Sequence, residues 1–421
     1  KLIVSKFGGT SVANAGCLRQ VREIVRAEPA RKVVVVSNLG ADAKDPVGGT
    51  NALRFIHASW EDRAAPVDLQ GVLLRELLTQ KELEEITDHF GSDVCALDVW
   101  QWLKGRYLAL NRQLELGMKD MLDQAFSALT MNFGKDRSLA FVESRGEFIM
   151  MHLTANYLGF RVADPAEFIR FHDFRRGKSY ERDGSHCLIC AHLKPLGALP
   201  CVVGGYYGCS PAGKGAGDTR RPEQYRTFGR GGSDQTATEI AAALEADLCE
   251  IFTDVPGIFT ADPRVVSDAR PIERIAPRDT RELSYAGGRV LHSEALEPCR
   301  AAGVPIRVAS TFEPELSGTM ITSGESRQSG GPVTAIAGRT GFTAVCIGRS
   351  GMNEQIGFAR DVLVRFADHG VPVEHLPTGI DTMMVVAPTQ QLNGAIGSIM
   401  DLLGGLEPDL LEFNENMAIL A

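Results

Sequence analysis

The chain has 421 residues, 44% of them hydrophobic, with 44 Lys and Arg against 53 Asp and Glu and a formal charge of −9. That size and apolar content allow one large core and a smaller one, so two or three domains are expected. The acidic balance, with a sequence pI near 5.6, argues against nucleic acid or an anionic membrane as the main partner.

No apolar run approaches the roughly 20 residues of a membrane span. Residues 1–12 read as strand and glycine loop rather than as a signal peptide. Nine scattered cysteines suit reduced thiols in a cytoplasmic protein. A single CxxC, Cys187-Leu-Ile-Cys190, has no second pair at regular spacing, so no metal site is expected.

In chain order, Leu2 to Phe7 is a short buried strand that delivers Lys6 beside Gly8, Gly9, Thr10 and Ser11. A helix over 16–27 follows, with Leu18, Val21, Ile24 and Val25 at helical spacing. Lys32 to Ser37 is then a continuous apolar strand of the kind buried on both faces of a parallel sheet. Strand, glycine loop, helix and strand make a βαβ unit, and ligands collect beyond the carboxyl ends of such strands. Lys6 precedes its glycines, so this is not a P-loop. The plainer alternative for Lys6 is a solvated lysine at a strand end. Thr50 and Asn51 open a helix through Trp60. Residues 68–129 read as helices with a solvated charged face, to which no chemistry is assigned.

Phe141 to Glu147 breaks that rhythm with a charged cluster just before a helix over 148–157. Glu143 there is either a carboxylate favoured by the helix dipole or a ligand group. Residues 161–164 are a short strand and turn, and Pro200 to Gly205 is a buried strand ending in glycines. The loop 206–226, rich in Gly, Pro, Lys and Arg, is a mobile lid or an insertion.

It leads to Arg230 in a glycine-rich turn with Gly231 and Gly232, after which Ser233 and Asp234 stand at a helix start. Glycines let backbone approach a ligand, free amides favour anions, and an arginine fork matches carboxylate or phosphate. The plainer alternative is a loop with an N-cap Ser or Asp. A strand over 246–252 ends in Thr253 and Asp254, with Phe259 and Arg264 following, a pattern that fits a nucleotide pocket. Gly287 to His292, with Arg289 and Val290, begins another helix, and 304–309 is a strand. From about 332 the pattern becomes a small βαββα unit, with strands over 342–347, 372–376 and 382–387 and helices over 357–369 and 392–403. The last residues, 417–421, read as the inside of an apolar strand, so the polypeptide is expected to continue.

At Lys6-Phe-Gly-Gly-Thr-Ser11 the chain resembles the amino-acid kinase family, aspartate kinases in particular. Four stretches agree in the same order: Glu143-Ser-Arg-Gly-Glu147, Arg230-Gly-Gly-Ser-Asp234, Thr253-Asp-Val-Pro-Gly-Ile-Phe-Thr-Ala-Asp-Pro-Arg264 and Gly288-Arg289-Val290-Leu291-His292. The module around Gly338 to Thr343 is similar to the ACT domains of such enzymes, its second copy incomplete here.

The resemblance implies an α/β sandwich with a mainly parallel sheet over 1–325. It also implies an α+β ACT-like (βαββαβ) regulatory region over 332–421. It implies transfer of the γ-phosphoryl of ATP, with Mg²⁺, to the β-carboxylate of L-aspartate. By the same resemblance Lys6, Gly8, Gly9 and Asp234 are catalytic, while Thr50, Glu143, Arg230, Gly231, Gly232 and Ser233 hold the amino acid. Lys6, Gly9, Ser11, Thr253, Asp254, Phe259, Arg264, Arg289 and Val290 fall on ATP positions. Met352, Val373, Glu374 and Asp381 lie where a feedback amino acid, lysine or threonine, touches relatives, which pair as homo-oligomers through this region.

Three positions depart from the relatives: Ser37-Asn38-Leu39 where Ser-Ala is usual, Phe259 for a frequent Tyr, and Arg289 for a frequent Lys. Other readings are a kinase for glutamate or acetylglutamate, and a non-catalytic amino-acid-sensing subunit. A hydride-transfer enzyme is disfavoured, because KFGGTS rather than GxGxxG follows the first strand.

Overall fold

The computed structural model describes residues 1–421 except 70, 135–136, 173–179, 196–199, 211–212, 215–219, 222–223, 230, 286–290, 292 and 323–332, and the side chains of 72, 213–214 and 220–221. The chain divides into two compact units, one built on Lys1–Ser284 and the other on Ala335–Ala421.

The first unit opens with β1 (Ile3–Phe7), α1 (Ala15–Ala27) and β2 (Arg31–Val36). All five residues of β1 are buried, and the four valines of β2 are buried too, as expected of strands covered on both faces. The Asn14 side chain caps α1 by accepting from Cys17 N–H. A helical layer follows: α2 (Gly49–Ala58), α3 (Val72–Leu77), α4 (Gln80–Phe90), α5 (Ala96–Gln113), α6 (Lys119–Thr130) and α7 (Leu139–Leu158). Leu53, Phe55, Trp100, Leu103, Phe126 and Met150 from these helices share one core with Phe7, Val34 and Val36 of the sheet.

After β3 (Arg161–Ala163), α8 (Arg182–Leu193) and β4 (Cys201–Gly204) comes a small antiparallel excursion. In it β5 (Tyr207–Ser210) pairs with β8 (Gln224–Thr227), and β6 (Gly213–Lys214) pairs with β7 (Arg220–Arg221). Much of the loop read as a lid is therefore hairpin, while parts of it lie outside the described residues. Then come α9 (Gly232–Ala243), β9 (Leu248–Thr253), β10 (Arg274–Ile275), α10 (Pro277–Tyr285), α11 (Glu297–Ala302), β11 (Ile306–Ser310) and β12 (Thr319–Ile321).

The strands make one eight-stranded sheet in the order β10-β12-β11-β9-β1-β2-β4-β3, parallel except where β11 meets β12. β1 is central. The chain leaves it for β2 on one side and later returns to β9 on the other, so the strand order reverses at β1. A crevice forms outside the carboxyl ends at such a point.

The second unit is β13 (Gly338–Gly348), α12 (Phe358–Asp368), β14 (Thr382–Pro388), α13 (Thr389–Leu392), α14 (Ile396–Gly404) and β15 (Leu410–Leu420). Its antiparallel sheet runs β14-β13-β15, with Val345, Phe358, Phe366, Val385 and Ile399 in its core.

Two boundary readings are corrected. The strand expected over 372–376 is reduced to bridges of His375 with Val386 and Thr378 with Met383. Pro372 and Pro377 supply no N–H to a ladder, which limits pairing there. The helix expected from 148 begins at Leu139, capped by Ser138. Glu143 thus lies inside α7 beyond its first turn and is not an end-capping carboxylate. Glu143, Arg145 and Glu147 are buried rather than solvated, which is why the local sequence looked like a break.

Candidate active site

The first motif and the central one meet at the carboxyl end of β1. Lys6, 8% exposed, sends its Nζ to 2.5 Å from Asp234 Oδ1 at the start of α9. Asp234 Oδ1 has no aligned hydrogen-bond donor among the described residues, so the contact is an ion pair without a linear hydrogen bond. Gly8 N–H donates to the Phe252 carbonyl, and Gly40 N–H donates to the Gly9 carbonyl. A side-chain carbon on Gly40 would stand 2.2 Å from the carbonyl carbon of Gly9, so the loops after β1 and β2 touch backbone to backbone. Gly231 holds the turn into α9 at φ 75°, and Gly232, Ser233 and Asp234 are buried in its first turn. An ammonium, glycine amides and a helix N-terminus converge there. Such a set attracts anions.

Beside Gly9 lies Asn38, the residue that departs from the expected Ser-Ala. Its Oδ1 accepts from Leu39 N–H and from the Tyr107 hydroxyl, and its Nδ2 donates to Thr50 Oγ1 at 3.3 Å. The amide is packed so closely on α7 that a side-chain carbon on Gly146 would lie 2.1 Å from Asn38 Nδ2. Glu147 follows, buried, with Oε2 free of any hydrogen-bond partner among the described residues. Burial raises its pKa to about 8, against the backbone amides of Glu147 and Asn38, which favour the charged form.

Glu143 is already engaged. Arg54 Nε donates to Oε1 at 2.6 Å, while the Tyr206 hydroxyl and Thr227 Oγ1 donate to Oε2 at 3.1 and 3.3 Å. Tyr206 takes a left-handed backbone, φ 79°, to reach it. Sequence reading named neither Arg54, Tyr206 nor Thr227, because their meeting with Glu143 is a long-range pairing.

Ser11 is buried and shares a hydrogen bond of 2.7 Å with Thr311 beyond β11. Thr253 ends β9 and donates to the exposed Asp254. Phe259 bridges Pro271, and the exposed Arg264 is held by Asp262. Arg230, Arg289 and Val290 lie outside the described residues. In the second unit Asp381 accepts from Gly351 N–H, beside Met352. Glu374 is paired with Arg339 at 2.6 Å, and Val373 is 37% exposed. Among the described residues no group of three His, Cys, Asp or Glu could hold a metal ion, and no helix is long and apolar enough to cross a membrane.

The profile of the Amino acid kinase family matches residues 1–310. Aspartokinase 3 of Bacillus subtilis (strain 168) is 31% identical over 401 residues, which are 93% of this chain and 79% of that protein. The crystal structure of Clostridium acetobutylicum aspartate kinase superposes with a TM-score of 0.78 at 29% identity, covering 100% of this chain and 86% of that one. E. coli aspartokinase III, solved in complex with lysine and aspartate, shares the fold at a TM-score of 0.74 and 24% identity, covering 100% of this chain and 86% of that one.

Proposed function

We propose that this chain, which belongs to the amino acid kinase family, is an aspartate kinase that transfers the γ-phosphoryl of ATP to the β-carboxylate of L-aspartate. The observation that carries the reading is the Lys6–Asp234 pair, set between the Gly8–Gly9 turn and the start of α9. A carboxylate is ionised at neutral pH, so the nucleophile needs no general base. One carboxylate oxygen attacks the γ-phosphorus in line as the bond to the bridging oxygen breaks, and ADP leaves with that electron pair. The barrier lies in bringing two anions together and in stabilising charge on the transferring group. Lys6 and the amide of Gly9 would stabilise that charge, with Asp234 holding the ammonium, while Gly8, whose N–H is given to the Phe252 carbonyl, would shape the turn.

Thr50, Gly231, Gly232 and Ser233 would line the amino-acid side, and Arg230 would take the α-carboxylate. Thr253, Asp254, Phe259 and Arg264, with Arg289 and Val290, are the nucleotide candidates. Mg²⁺ would come with the phosphates and water, a way of binding that asks for no all-protein cage.

Glu147, rather than Glu143, is the better partner for the substrate ammonium. Glu143 is taken up by Arg54, whereas Glu147 has an oxygen to offer. An ammonium beside Glu147 favours its ionised form, so binding must expel the proton that burial retains below pH 8. KM for aspartate should fall by up to about tenfold per pH unit from pH 6 toward 8 and then level. A flat KM across that range removes Glu147 from this role.

The second unit would bind the feedback amino acid, with Met352, Val373, Glu374 and Asp381 as candidate contacts. Copies would pair along the edge strand β15, which exposes Leu410, Phe413, Met417 and Leu420. A monomer by light scattering would remove that pairing.

The function is tested by trapping the acyl phosphate with hydroxylamine, using aspartate, glutamate and N-acetylglutamate in turn. Hydroxamate from aspartate alone is expected, lowered by lysine or threonine. Product from another acid keeps the family and replaces the substrate. ATP binding without any product favours an amino-acid-sensing subunit.

A further inference from the structure

Helix α5 belongs to the stretch that carries no motif, yet two consecutive side chains of it reach the loops beyond β1 and β2. Arg106 is buried, and burial holds its pKa below the usual arginine value. Its Nη1 donates to the Val47 carbonyl at 3.0 Å, and its Nη2 donates to Ala13 at 3.0 Å and to Gly40 at 2.8 Å. Its Nε stands 3.6 Å from Asp45 Oδ2. One guanidinium therefore joins the end of the first loop to both ends of the second. Only a fork of five fixed donors can do this from a single side chain. Trp102, one turn earlier, donates Nε1–H to Asp45 Oδ1 at 3.1 Å.

Tyr107 is fully buried, and its hydroxyl donates to Asn38 Oδ1 at 2.5 Å, the amide that in turn donates to Thr50. A packing residue at either position would need no polar group, and desolvating a guanidinium costs stability. The polar atoms are spent on the two loops.

We propose that Arg106 and Tyr107 are positioning residues for phosphoryl transfer. Arg106 fixes the Gly8–Gly9 turn through Gly40, whose backbone rests on Gly9, and Tyr107 fixes Thr50 through Asn38. The kinetic half of this inference rests on the aspartate kinase reading. The structural half does not.

Two measurements on the full chain separate them. By hydrogen–deuterium exchange, Arg106→Gln should speed exchange of amides 40–49 about tenfold or more and leave the strands of the sheet unchanged, with Arg106→Lys in between. In the hydroxamate assay Arg106→Gln should lower kcat about tenfold with KM for ATP within about twofold, and Arg106→Lys should recover only part of it. Tyr107→Phe removes one oxygen and should raise KM for aspartate about fivefold at nearly constant kcat. Unchanged exchange over 40–49 in Arg106→Gln overturns the inference whatever the activity. So does Tyr107→Phe with wild-type kinetics. No hydroxamate from the unaltered protein overturns the aspartate kinase reading instead, and exchange then decides the clamp by itself.

Discussion

Lys6→Ala is expected to lower kcat by about 10²–10³-fold or more, with a much smaller change in KM for aspartate. The ammonium is nearly buried at the end of the central strand, where the sheet order reverses and anions are drawn in. A unit charge about 4 Å from a charged oxygen is worth ~4 kcal/mol at an effective dielectric of about 20, which corresponds to roughly three powers of ten in rate. Removal also strands Asp234, whose carboxylate lies 2.5 Å from Lys6 Nζ and would then face the phosphates uncompensated. Lost attraction and new repulsion act in the same direction. A second change, Asp234→Ala, should therefore recover part of the loss in the Lys6→Ala background. Turnover within tenfold of wild type in the single variant would remove Lys6 from charge stabilisation.

Glu250→Gln should cost about 3–5 kcal/mol of stability, the range for breaking a buried ionic network by deleting one partner. Glu250 on β9 is 1% exposed, accepts from Arg31 Nε and Nη2 at 2.6 and 3.0 Å and from Ser5 Oγ at 2.8 Å, and forms an ion pair with Arg307 Nη2 at 2.9 Å. These partners lie on β2, β11 and β1, so one carboxylate ties four strands of the sheet together. A neutral amide leaves two guanidiniums facing each other with one acceptor oxygen between them. Replacing all three charges by apolar side chains (Arg31→Met, Glu250→Leu and Arg307→Met) should cost far less, because no charge is then left unpaired. Urea unfolding at neutral pH checks both. A loss below about 1 kcal/mol in Glu250→Gln would mean that the network behaves as a surface one.

What the sequence discloses follows from the range of the interactions. β1, β2, β4 and β9 were legible because runs such as the four valines of β2 carry their burial locally, and glycines mark the strand ends. The mainly parallel sheet followed from strand and helix alternation. That Lys6 and Asp234 serve one site was legible only through the family resemblance carried by the ordered motifs, and their contact needed the fold, since nothing local to either residue encodes the other. The engagement of Glu143 by Arg54 was hidden, as were the carbonyls held by Arg106 and the strands tied by Glu250. In each case a charged residue on an ordinary-looking helix or strand finds its partner from a distant segment. Asn38 was visible as a departure, but its contacts with Tyr107 and Thr50 needed the fold. In the module after 332 the strands over 342–347 and 382–387 and the helix over 357–369 were legible, whereas 372–376 lost its strand to prolines. The helix expected over 392–403 is broken into Thr389–Leu392 and Ile396–Gly404, and the strand ending the chain begins earlier, at Leu410.

The central claim, that the β-carboxylate oxygen of aspartate attacks phosphorus, is tested most directly by isotope transfer. Aspartate labelled with ¹⁸O in its β-carboxylate is incubated with ATP and the protein, and the product is cleaved by hydroxylamine. Attack at the acyl carbon releases phosphate that keeps the bridging oxygen, so each phosphate from the acyl product should carry one ¹⁸O. Phosphate free of label, formed at the same rate with or without aspartate, would mean that water is the acceptor and would contradict the account.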